Sequence, residues 1–376
     1  MTSLHTPLCD MLGIENPIVL AGMGGGRDDF MPSPPALAAA VSNAGGLGVM
    51  GCGSRKLETI EWCIREFRRL SDRPLGIDLI FPATLAEAKA PTKAEQRELI
   101  KRDYPAHWQF VDGLYDQFEV KRVELSAALQ EEPPQSWDLI RKQAEVVFDN
   151  NVPIIVAGQG DPGIIVKRGH DVGMVLGGMV GAVRHARRQK AAGVDFVVAQ
   201  GTEAGGHTGN VATFPLVPQV VDEVAPTPVM AAGGVANGRH VAAALSLGAQ
   251  AVWVGTAFLV AEENHIRDVH QDQILEAPSE RFIASKYPTG KQSRSLENPI
   301  KHAWLESGLP ALMMPLQGIL MEEFDRSAEA DERWDLITGP GGQAGGMLKE
   351  RKPAKRIVEE MLAEAEETLD RLQTYR

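Results

Sequence analysis

Residues 199–210, AQGTEAGGHTGN, set Gln200, Glu203 and His207 among four glycines at the end of the apolar run VDFVV. An imidazole exchanges a proton near neutral pH, so His207 is suited to act as a general base or acid. Glu203, four residues earlier, either orients that ring or faces solvent. Gln200 offers both an acceptor and donors to a heterocyclic ring edge. Glycine admits backbone conformations closed to other residues and lets a ligand approach the main chain. A lone histidine is more often structural than catalytic, but this one leaves a buried strand into a glycine loop, where α/β proteins tend to keep their chemistry.

Two further glycine motifs suit an anion. In AAGGVANGRH, Gly233 and Gly234 can turn backbone N–H groups toward a phosphate. In WVGTAFL, Gly255 and Thr256 open a helix whose N-terminal dipole favours negative charge. Near the start, LAGMGGG places Met23 and Gly24 in a stretch with little side-chain bulk, as expected of a main chain pressed against a flat ligand or of a flexible turn. Asp78 interrupts the apolar run LGIDLI, and a carboxylate there is costly to bury unless it is paired or hydrogen-bonded; a ligand contact would account for it. SNAGGLGVMG has GxG-like spacing but follows a helix and precedes a strand, the reverse of the dinucleotide fingerprint. The remaining histidines form no ligand cluster, and no metal is expected.

These residues need a scaffold that brings strand ends together. Apolar runs at 17–21, 47–50, 75–80, 152–157, 172–177, 195–200, 228–233 and 251–255 are continuous rather than alternating, as in parallel strands buried on both faces. Between them lie Ala-rich helical segments, several of which stop at glycine. Eight such units over residues 1–264 predict a TIM (β/α)8 barrel, a fold of about 250 residues with its active site at the strands' carboxyl ends and a phosphate site after strands 7 and 8. An open doubly wound sheet is the alternative. A charged helical insertion at 83–137, closed by Pro133 and Pro134, interrupts the pattern after the third strand. It either packs over the barrel or forms a lid carrying Trp108, Phe110 and Tyr115. Residues 265–376 read as a mostly helical segment packing on the barrel. Its last helix carries Ile357, Met361, Leu362, Leu369 and Leu372 as a stripe for core contact or an oligomer face, so a homodimer is allowed.

A net charge of −12 over 376 residues argues against nucleic acid as a partner. No apolar run approaches the roughly 20 residues needed to span a bilayer, and the N-terminus lacks signal-peptide features. Three cysteines without CxxC spacing fit a reduced, cytoplasmic protein.

Across PIVLAGMGG, AVSNAGGLGVMG, LGIDLI, AGVDFVVAQGTEAGGHTG, VMAAGGVANGRHVAAALSLGAQAVWVGTAFLVAEE and GGQAGGMLKERKPAKRIVEEML, the chain resembles the FMN-dependent nitronate monooxygenases, formerly called 2-nitropropane dioxygenases. These share their barrel with an FMN-dependent type of enoyl-ACP reductase. The resemblance implies FMN phosphate on Gly233, Gly234, Gly255 and Thr256, Gln200 and Gly205 near the flavin, Met23 under the ring, and His207 as catalytic base or substrate-orienting group. Asp78 stands where family members usually carry asparagine. The implied reaction oxidises an alkyl nitronate with O2 to a carbonyl compound and nitrite. An NAD(P)H-dependent FMN reductase of enoyl thioesters or quinones and a flavin-binding protein without turnover are the alternatives.

Overall fold

The computed structural model of the chain describes residues 4–24, 30–53, 55–82, 91–131, 136–287 and 289–375. The Pro133–Pro134 end expected for the insertion, and Gly25 and Gly26 of the first glycine stretch, lie outside them.

Eleven strands run in chain order through the described residues. They are β1 (Ile18–Leu20), β2 (Gly48–Gly51), β3 (Leu75–Phe81), β4 (Ile154–Gly160), β5 (Val175–Val180), β6 (Phe196–Gln200), β7 (Gly206–His207), β8 (Val229–Ala232), β9 (Ala251–Val254), β10 (Phe282–Ser285) and β11 (Ser293–Leu296). Eight of them form one parallel sheet in the order β1-β9-β8-β6-β5-β4-β3-β2. Val19 pairs with Trp253 on one side and bridges to Leu47 on the other, so the sheet curls round nearly to closure. This is the expected TIM barrel, not the open sheet. The fifth strand starts three residues later than its apolar run, because Gly173 turns the chain at φ +78° after the helix Gly163–Asp171.

Alternation along each strand feeds two cores, which is why the runs are apolar throughout. Phe196 and Val198 point into the barrel with Val156, Met230 and Trp253, while Val197 and Ala199 face the surrounding helices. Gly177 makes room for the Phe196 ring, which would lie 2.2 Å from a Cβ there. The short helix Pro7–Leu12 adds Leu8, Cys9 and Leu12 to the inner core, and Thr6 donates a 2.7 Å hydrogen bond to the Gln250 carbonyl just before β9. It therefore plugs the end of the barrel opposite the strands' carboxyl termini.

The C-terminal segment is mostly helical, as expected, and also supplies β10 and β11, which the sequence pattern does not reveal. These two pair antiparallel, and β11 pairs with β7, the two-residue strand that carries His207. The last helix, Ala354–Gln373, packs on the helices Gly238–Ser246 and Pro35–Asn43 that follow β8 and β1. That is the place of the eighth helix of the ring, so we read it as part of the barrel. Ile357 and Met361 of its stripe are buried, whereas Leu372 is exposed. Its contact with Gly238 is so close that a Cβ would sit 2.3 Å from the Met361 carbonyl oxygen, and Glu364 caps the Gly238 N–H at 2.8 Å.

The insertion forms helices Lys93–Asp103, Pro105–Gln117 and Ala127–Glu131. The first is started by a capping box between Thr92 and Glu95. Its apolar face joins the C-terminal segment in a separate core of Ile100, Leu114, Tyr115, Tyr287, Trp304 and Phe324. Phe110 stacks edge-on against Trp304 at 5.4 Å, and Tyr115 against Phe324 at 5.1 Å. These aromatics pack within a second lobe and do not line the cavity at the barrel mouth. Lys93 and Arg97 both pair with Glu322 across the same boundary. Among the described residues no helix is long and apolar enough to cross a membrane.

The close approach at Gly238 generates a test. Gly238→Ala should destabilise the protein by about 1–3 kcal/mol, the usual cost of overpacking, because the obstructing atoms are backbone. Chemical denaturation reads this directly, and an unchanged midpoint would contradict the packing described.

Candidate active site

The carboxyl ends of the barrel strands surround a cavity of about 400 Å³. Met23, Gly24, Asp78, Gln200, Gly205, His207, Gly233, Gly234, Gly255 and Thr256 all line it. Residues that are far apart in the chain converge here because each lies on, or in the loop beyond, a parallel strand. The C-terminal segment roofs the cavity with Thr289, Met314, Pro340, Gly341 and Ala344.

Much of the wall is main chain. At Gly51 a Cβ would meet Gly24 N and Met23 C at 2.4 Å, so the turns after β1 and β2 touch backbone to backbone. Buried Ser33 ties them together: its hydroxyl donates to the Met23 carbonyl and accepts from the N–H groups of Met23 and Gly51, each at 3.0 Å. Gly233 and Gly234 have φ of +93° and +78°, conformations that strain any L side chain, and they turn the chain away from β8 at the cavity wall. Across the cavity mouth, Gly205 packs on the Gly341–Gly342 turn, and Gly342 N donates to Thr256 Oγ1 at 2.9 Å. The Thr256 hydroxyl hydrogen is left to point elsewhere.

Asp78 is buried, and its carboxyl is wedged between the main chains of Gly22 and Gly158. Burial pushes its pKa well above the carboxylate range, against a smaller opposing effect of a hydrogen bond from Gly158.

Glu203, half-buried, does not orient His207. Its carboxylate accepts from Thr213 N at 2.9 Å and from Thr213 Oγ1 at 2.9 Å, which secures the start of the helix Thr213–Val224. Thr213 Oγ1 in turn lies 2.9 Å from the Gly233 carbonyl oxygen, so this carboxylate supports the glycine turn.

His207 is half-buried and held on both sides of its ring. Nδ1 lies 2.8 Å from Gln159 Nε2, and Nε2 lies 2.9 Å from Thr289 Oγ1. Lys291 Nζ lies 3.3 Å from Gln159 Oε1. The amide N–H of Gln159 donates to Nδ1, so the ring is neutral with its hydrogen on Nε2, donating to Thr289. Burial, reinforced by the Lys291 charge, lowers the His207 pKa to about 4. As held, the ring has both nitrogens engaged, Nδ1 as acceptor from Gln159 and Nε2 as donor to Thr289.

The strand β7 that carries His207 is anchored by the β10–β11 pair. Buried Lys301 donates to Ile283 O, Ser295 O and Ser295 Oγ, clamping those two strands. Arg294 on β11 donates to Thr202 O at 2.9 Å, just after β6. Gln159, Ser33, Thr289 and Lys291 are the contributors that the sequence analysis overlooks. A signal existed for Gln159: it stands at the carboxyl end of β4 in AGQG, as Gln200 does at the end of β6. Thr289 and Lys291 come from a segment with no barrel periodicity.

The comparisons with known proteins assign the barrel and its glycine-walled mouth to one family. The nitronate monooxygenase family model matches residues 5–364. A Mycobacterium tuberculosis protein named as a candidate monooxygenase is 36% identical, over 98% of this chain and 99% of its own length. A probable nitronate monooxygenase of Bacillus subtilis is 30% identical over 93% and 96%. Among solved structures, a nitroalkane oxidase from Streptomyces ansochromogenes superposes with a TM-score of 0.79 at 27% identity, covering 97% of this chain and 99% of that one. FabK from Thermotoga maritima gives 0.75 at 29% identity, covering 99% of each. The chain belongs to the nitronate monooxygenase family and is a flavin-dependent oxidoreductase.

A pH titration tests the His207 environment. Its ring signals in NMR should shift with a midpoint near pH 4, well below the ordinary histidine value of about 6.5. Because the folded pKa is lowered, the unfolded chain binds more protons between those values, and acidification from pH ~6.5 towards ~4 should cost stability through this group. A midpoint near 6.5 would contradict the buried, neutral ring.

Proposed function

We propose that the protein holds FMN non-covalently and oxidises alkyl nitronates with O2, yielding a carbonyl compound and nitrite. The left-handed turn at Gly233 and Gly234, together with Gly255 and Thr256, suits a single phosphate, and the surrounding glycine main chain leaves a flat space for a ring. Met23, Gly24, Asp78, Gln200 and Gly205 would border that ring. The flavin supplies the redox chemistry; the protein supplies position, electrostatics and the exclusion of water.

The observation that carries the substrate reading is the state of His207. With Nδ1 engaged by Gln159 and a pKa of about 4, the ring is neutral, and its Nε2–H can donate to an anion's oxygen once that oxygen takes the place of Thr289 Oγ1. It is poorly prepared to strip a carbon-bound proton. A nitronate arrives already deprotonated and negatively charged, which fits such a site better than the neutral nitroalkane does. The similarity to FabK favours a second reading, in which NAD(P)H reduces the flavin for another acceptor.

Oxygen uptake and nitrite release test the proposal. Preformed alkyl nitronates should be turned over, and their parent nitroalkanes should be slower by about the 10²- to 10⁴-fold that a positioned base contributes. A hydrogen bond involving a charged group contributes about 1.5–3 kcal/mol. His207→Ala should therefore retain FMN and lose roughly 10- to 150-fold in nitronate turnover. A loss confined to neutral nitroalkanes would instead make His207 a base. Gly233→Ala, strained by its φ and by a Cβ 2.9 Å from Gly201 O, should weaken flavin retention. Heat release of FAD, or of no flavin after reconstitution, would contradict the FMN assignment.

A further inference from the structure

We propose that Lys291 is a positioning residue: its ammonium fixes which way round the Gln159 amide lies, and through that amide which ring nitrogen of His207 carries the proton. This deepens the donor reading of His207 given above and rests on it for its catalytic meaning.

The argument is one of donors and acceptors. An ammonium has three donors and no acceptor, so the end of the amide 3.3 Å from Lys291 Nζ must be the carbonyl oxygen. The NH2 end then faces His207 Nδ1 at 2.8 Å and can only donate. Nδ1 is therefore the bare nitrogen, and Nε2 bears the hydrogen. Turning the amide over would set its NH2 against the ammonium and offer its oxygen to Nδ1, which calls for the opposite tautomer. Thr289 cannot decide between the two, because a hydroxyl donates or accepts equally well. It can follow either choice; in the arrangement seen here its hydroxyl accepts from Nε2 and lies 3.3 Å from the Lys291 carbonyl oxygen.

The device is local and held in register. His207 pairs with Ser293 across the short sheet, and Thr208 N donates to Gln292 O at 3.2 Å. The backbone that carries Lys291 is thereby tied to the backbone that carries the ring it orients. Among the described residues no carboxylate forms an ion pair with Lys291, and desolvation accounts for the lowering of its pKa. The amide oxygen is thus not competing with a carboxylate for this ammonium.

The test reads the tautomer directly, in the purified full-length protein with its bound cofactor. Histidine is labelled with 15N, long-range 1H–15N spectra are recorded, and His207 is assigned by its absence in His207→Gln. The native protein should show hydrogen on Nε2. Lys291→Met, which keeps the stem and removes the charge, should give a mixture or hydrogen on Nδ1, and Lys291→Arg should restore the native pattern. Gln159→Glu, whose carboxylate can only accept, should place hydrogen on Nδ1. Nitronate turnover should fall in Lys291→Met and recover in Lys291→Arg. Hydrogen on Nδ1 in the native protein, or an unchanged Nε2–H pattern in Lys291→Met, overturns the proposal. The spectra need no substrate, so their outcome is separate from whether nitronates are the substrate.

Discussion

The 2.8 Å hydrogen bond between Gln159 and His207 joins three parts of the molecule that have little else in common. Gln159 belongs to a barrel strand, and His207 to the loop beyond another. The strand that fixes His207 in place pairs with β11 from the C-terminal segment. That segment is braced by the insertion through the core around Tyr115, Trp304 and Phe324. The insertion, none of whose described residues lines the cavity, therefore contributes to the site by bracing the segment that holds the histidine.

The barrel mouth is built to a second constraint, closeness of main chain. Gly51 touches the Met23–Gly24 peptide, Gly205 touches Gly341, and Asp78 is wedged against Gly22 and Gly158. Where backbones meet, side chains are absent, and a flat ligand can lie against peptide groups. Each of these glycines also forgoes apolar burial and adds backbone entropy to the cost of folding. Ser33, Thr213 and Glu203 offset part of that cost by pinning the turns. These polar side chains serve the walls of the site rather than its chemistry.

The barrel was legible because its strands are buried on both faces, which leaves unbroken apolar runs, and because its glycine motifs fall at strand ends. The cavity-lining residues follow from the same rule, since parallel strands deliver their carboxyl ends to one face. The role of Glu203 is not legible because a loop residue's partner depends on how the chain turns; its acceptor capacity goes to the Thr213 helix start. Thr289 and Lys291 were hidden because their placement depends on a two-residue strand, β7, too short to carry any period. The last helix looked like an appendage because the residues between it and β9 fold elsewhere before the ring is completed.

In the function proposed, this site takes electrons from a nitronate. Rapid anaerobic mixing of the flavin-loaded protein with an alkyl nitronate, and separately with NADH and NADPH, tests it most directly through the loss of flavin absorbance. Prompt bleaching by the nitronate and none by either nicotinamide is the expected result. Bleaching by NADH or NADPH, with the nitronate inert, would contradict it and make the chain a reductase on the same barrel.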